Sequence, residues 1–87
     1  MPIMHPIANL NGTSREKLID TRLAAVRALR DAMKAMQELS PHMRDYLGNS
    51  GIEAWQADRN IYIARFSALD AMANDLIDEA LSLQDHP

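Results

Sequence analysis

The stretch IEAWQADRNIYIARFSALDAMANDLIDEALSL, Ile52 to Leu83, decides the fold. Its residues Ile52, Trp55, Arg59, Tyr62, Phe66, Leu69, Ala73, Leu76, Ala80 and Leu83 recur at alternating steps of three and four. That spacing keeps one stripe of a 3.6-residue helix apolar for more than four heptads. Alternating β-branched runs, the signature of a half-buried strand, are absent, while Ala, Leu, Met, Arg, Glu and Asp dominate from residue 14 onward. The chain therefore reads as all-α.

Upstream, NGTSREK at Asn11–Lys17 has the chemistry of a helix start. Asn11 and Gly12 favour a turn, and Thr13 or Ser14 can accept from orphan amides. Glu16 lies three residues after Thr13, which makes a capping box with Thr13 as N-cap. From there to Leu39 the series Leu18, Arg22, Ala25, Leu29, Ala32, Met36, Leu39 reads as a second seam, with Ile19, Val26 and Met33 one step over. Glu16, Asp20, Arg27, Asp31, Lys34 and Glu38 make the opposite, solvated face. Pro41 has no amide hydrogen and restricts Ser40, so the first helix ends or bends there.

Two helices of about 26 and 33 residues, rods of roughly 40 and 50 Å, joined by a short connection fit an antiparallel hairpin. The expected layout is an extended apolar arm at 1–13, a helix at 14–39, a short helical corner at 41–47 and a helix at 51–84. In the corner, Tyr46 and Leu47 are expected to cap the core, while Arg44 or Asp45 bond nearby backbone groups. The arm residues Ile3, Met4, Ile7 and Leu10 are expected to fold over the hairpin or a second subunit. The seam is expected to run through Leu18, Leu29, Met36, Tyr62, Phe66, Leu69 and Leu76.

A chain of 87 residues without cysteine has neither a disulfide nor a thiolate metal site to supplement its core. At this size oligomerisation is a common remedy, and a homodimer closing into a four-helix bundle is expected. Charge is divided between the helices. Between Arg15 and Lys34 six basic residues stand against three acidic ones, and between Glu53 and Asp85 seven acidic residues stand against two basic ones. Arg22 and Arg59 occupy seam positions, where pairing with an acid across the interface is favoured over external recognition.

Chemistry is sparse. His5, His42 and His86 share no ligand spacing, no nucleophile has a base and an orienting third group nearby, and the three glycines sit at helix boundaries. Asp75, Asp78 and Glu79 are read as solvated residues on a polar helix side. No catalytic residue, metal site or cofactor is expected. Three net negative charges disfavour nucleic acid, although the basic first helix keeps a small nucleic-acid-binding regulator as a third reading. No apolar run approaches the roughly 20 residues of a spanning helix, and MPIMHPIANL lacks the charge and cleavage pattern of a signal peptide. A cytoplasmic protein without a membrane partner is expected.

The ordered segments LNGTSREKLID, ALRDAMKAMQELSPHMRDYL and EAWQADRNIYIARFSALDAMANDLIDEAL resemble small helical-hairpin proteins encoded by tailed phages and prophages, over residues 9 to about 83. The more specific parts are LNGTS, Leu10–Ser14, and RDY, Arg44–Tyr46. The resemblance implies a phage origin and a bacterial host cell. With it the leading expectation is a non-enzymatic interaction module that inhibits or redirects a host or defence protein in the manner of an anti-CRISPR. Arg44, Asp45, Tyr46, Trp55 and Arg59 are its candidate partner-binding residues. The alternative is an assembly accessory of a phage particle acting through self-association.

Overall fold

The computed structural model describes residues 3–6 and 14–85. Two long helices form an antiparallel hairpin: α1 spans Arg15–Met36 and α2 spans Gly51–Asp85. The molecule is a rod of 64 × 20 × 18 Å. Ser14, in extended conformation, caps α1, its Oγ accepting from the Lys17 amide at 3.1 Å. The first helix thus starts at residue 15 on a Ser14 cap; Thr13, the expected N-cap, lies outside the described residues. At its other end the helix tightens into a 3-10 turn over Gln37–Leu39. Ser40 then swings to φ −60° and ψ 124°, the extended conformation that a following proline imposes.

The seam of α2 includes Trp55, Tyr62, Phe66, Leu69, Ala73, Leu76, Ala80 and Leu83, all buried or half-buried. Tyr62 and Phe66 stack along it with ring centroids 6.0 Å apart and planes tilted by 44°. Ile52 and Arg59, read as part of the seam, are exposed. They belong to the turns of α2 that run past the end of α1, where no opposing helix covers them.

On α1 the structure corrects the register. Ile19, Arg22, Val26, Leu29, Met33 and Met36 are buried or half-buried, whereas Ala32 and Leu39 are exposed, Leu39 by 67%. Leu18 and Ala25 are half-buried on the flank. A strict seven-residue repeat drifts about 20° per heptad on a straight helix. Leu18, Ala25, Ala32 and Leu39 therefore rotate progressively out of the interface, and Ile19, Val26 and Met33 carry it.

The arm comes back to its own hairpin. Residues 3–6 are extended, with Ile3 and Pro6 half-buried, and the Met4 amide donates to Glu79 Oε2 at 3.2 Å. Glu79 Oε1 accepts from Arg22 Nε at 2.8 Å, with side-chain exposures of 4% and 11%. The expected solvation of the C-terminal acids fails for Glu79, which is the buried charged residue among those described. Asp75 is half-buried, its Oδ2 enclosed without a donor among the described residues, and only Asp78 is exposed. Arg22 in the seam demands a buried counter-ion, and the arm shields that pair from water.

Candidate interaction site at the hairpin corner

The corner is built by proline, glycine and two side chains of α2. After Pro41 a second 3-10 turn forms at Met43–Asp45, closed by amides of Asp45 and Tyr46 donating to the carbonyls of His42 and Met43. Gly48 takes φ +114°, a region L-residues rarely enter, and reverses the chain into α2. Gly51 is buried, and a Cβ there would collide with the Tyr46 carbonyl. The glycine lets helix and corner touch backbone to backbone.

Trp55 and Asp58, on adjacent positions of one helix face, hold this loop down. Trp55 Nε1 donates to the Pro41 carbonyl at 3.1 Å, and Tyr46 Oη donates to Asp58 Oδ2 at 2.6 Å. The Tyr46 phenol is raised above its ordinary value, first because its proton is held by Asp58, then by desolvation and by the charges of Asp58 and Asp45. Arg59 lies over the Trp55 ring, 5.9 Å from its centroid, within cation–π range.

Among the five residues expected to meet a partner, two have internal duties. Tyr46 and Trp55 are half-buried corner ties, while Arg44, Asp45 and Arg59 are exposed. The side chains of Arg44 and Asp45 make no hydrogen bond among the described residues. Leu47, expected to cap the core, is instead 87% exposed. Leu39, Met43 and Ile52 are exposed as well. The connecting segment 39–52 thus leaves four large apolar side chains in water, together with exposed Arg44 and Asp45.

Next to them opens a cleft of about 310 Å³, lined by Met36, Leu39, Pro41, Tyr46, Asp58, Ile61, Tyr62 and Arg65. Its wall is apolar, with a carboxylate and a guanidinium at the α2 side. Sequence reading placed Leu39 in the seam and gave Met43 and Ile61 no role, because periodicity marks which residues are apolar, not which find cover. Among the described residues no group of three or more His, Cys, Asp or Glu could hold a metal ion, and no helix is long and apolar enough to cross a membrane. Comparison with known protein families, characterised proteins and solved structures finds no match for this chain.

Proposed function

We propose that the protein is a non-catalytic interaction module that docks its corner onto another protein, in a phage-infected or prophage-carrying bacterial cell, and inhibits or redirects it. The observation that carries this reading is the exposure of Leu39, Met43, Leu47 and Ile52 along a tethered turn. A single large apolar residue on a surface needs no explanation, but four in the one connecting segment 39–52 are what a contact surface would expose. The ties from Trp55 and Asp58 fix the turn before a partner arrives, which lowers the entropy cost of binding. The LNGTS and RDY segments support the phage setting.

The test is capture from infected or prophage-carrying cells with a photo-crosslinking residue at position 47, compared with Leu47→Asp and Met43→Asp proteins of unchanged helicity. One host protein captured by the wild type and lost in both variants supports the reading. The same protein captured equally by the variants sinks it. Recovery of virion components in its place would favour the assembly reading.

A further inference from the structure

We propose that a second copy of this chain packs on the flank that carries Leu23 on α1 and Ile63, Asp70, Ile77 and Leu81 on α2, with α1 of each copy lying antiparallel to α2 of the other. The corner reading neither requires nor is required by this dimer.

At about 100° per residue, Ile52, Ile63, Asp70, Ile77 and Leu81 fall within a sector of roughly 40° on α2. Glu79, the arm's anchor, stands two residues from both Ile77 and Leu81 and so on the far side of the helix. Residues 3–6 therefore lie on the other face of the hairpin, while on this flank Ile63 is 42% and Leu81 51% exposed and Leu23 and Ile77 are half-buried. On α1, Glu16, Leu23, Arg27, Arg30 and Lys34 share a sector of about 60° beside it, one acid against three bases.

Area and charge select the occupant. The chain exposes 6654 Å², about 1,500 Å² more than a compact monomer of its mass, and a standard interface takes about 800 Å² from each partner. Although one helix is basic and the other acidic, Arg22–Glu79 is the ion pair that joins them among the described residues. Arg27, Arg30 and Lys34 on one side and Asp70 on the other make no ion pair among the described residues. A second copy turned about an axis across the helices would lay α1 on α1 and α2 on α2, so the acidic helix, Asp70 included, would not face the basic one. Turned about an axis along the helices, it lays each α1 on the partner's α2.

The register then follows to within one residue. Arg22 bonded to Glu79 fixes the heights of the two helices, so Leu23 stands within one residue, about 1.5 Å, of the level of Ile77, and Arg30 of Asp70. A rotation about the long axis preserves height. Leu23 meets the partner's Ile77 and Arg30 meets the partner's Asp70, twice each by symmetry. Both corners emerge at the same end of the bundle, giving a bivalent tip.

The chain contains no native cysteine, which makes cross-linking clean. Mixing full-length Arg30→Cys and Asp70→Cys proteins should give a disulfide-linked heterodimer under mild oxidation, while Arg30→Cys alone should not cross-link. In sedimentation equilibrium the wild type should be dimeric at micromolar concentration. Ile63→Glu and Leu81→Glu should each weaken association about tenfold or more, with helicity unchanged. Arg30→Glu should weaken it too, and adding Asp70→Arg should restore it. Because positions 30 and 70 are exposed, this exchange tests the contact even if an apolar-face variant misfolds. A monomer at tens of micromolar, linkage between two copies of position 30, or no rescue by the exchanged charges would overturn the proposal.

Discussion

Replacing Glu79 by Ala probes the contact that joins arm, first helix and second helix. The change removes the acceptor of Arg22 Nε at 2.8 Å and of the Met4 amide at 3.2 Å, and leaves a guanidinium whose side chain is 11% exposed without its counter-ion. Removing one partner of a buried pair costs about 3–5 kcal/mol. Arg22 keeps a bond from Nη1 to the Leu18 carbonyl at 3.2 Å and its long stem can swing toward water, which places the cost near the lower end, about 3 kcal/mol. For a chain of this size that corresponds to a fall in melting temperature of roughly 12–24 °C. Thermal and urea unfolding followed by circular dichroism at 222 nm, at one fixed protomer concentration, measures it. Glu53→Ala on the exposed first turn of α2 serves as the control, expected to change stability by less than about 0.5 kcal/mol. Arg22→Met combined with Glu79→Leu should recover most of the loss, since an apolar pair has no desolvation cost to offset. If Glu79→Ala costs no more than Glu53→Ala, the pair does not hold the hairpin and the reasoning fails.

Gly51→Ala should destabilise by about 1–3 kcal/mol through overpacking against the Tyr46 carbonyl, although helix propensity alone favours Ala by up to about 1 kcal/mol; the sign of the shift in urea midpoint decides. Val26→Ala should cost about 2 kcal/mol as a buried large-to-small change, and Leu39→Ala less than about 0.5 kcal/mol; the opposite order would restore the seam through Leu39. In an alkaline titration monitored by tyrosinate absorbance, Tyr46 should ionise later than an ordinary phenol, and Asp58→Asn should bring it down. A folded-state value raised above the unfolded one means that the corner's contribution is fully present below the unfolded phenol's range near pH 10 and is lost as pH climbs through the raised value. Equal titration in wild type and Asp58→Asn would show that the Tyr46–Asp58 bond is not formed in solution.

The seam of α2 from Tyr62 to Leu83 was legible because an apolar stripe at three- and four-residue steps has a single helical interpretation. The break at Pro41 and the glycine turn were legible because proline and glycine act through their own backbone chemistry. The seam of α1 was not. Leu18, Ala25, Ala32, Leu39 and Ile19, Val26, Met33 are both apolar heptad rows, and only a facing helix at a fixed height selects between them. Sequence placed Trp55 and Tyr46 at the corner but left their roles open, since an indole or phenol close to a turn serves a partner or a backbone carbonyl equally well.

The sequence by itself determined that this protein is helical, where its chain turns, and that its charges divide between two helices, because these follow from local periodicity, backbone restriction and counting. The tertiary structure decided that Glu79 is buried rather than solvated, that Leu39 and Leu47 are exposed rather than packed, and that residues 3–6 lie against the Arg22–Glu79 pair. Burial depends on what lies opposite a residue in space. Residues 22 and 79 meet only when the two helices are laid side by side in one register.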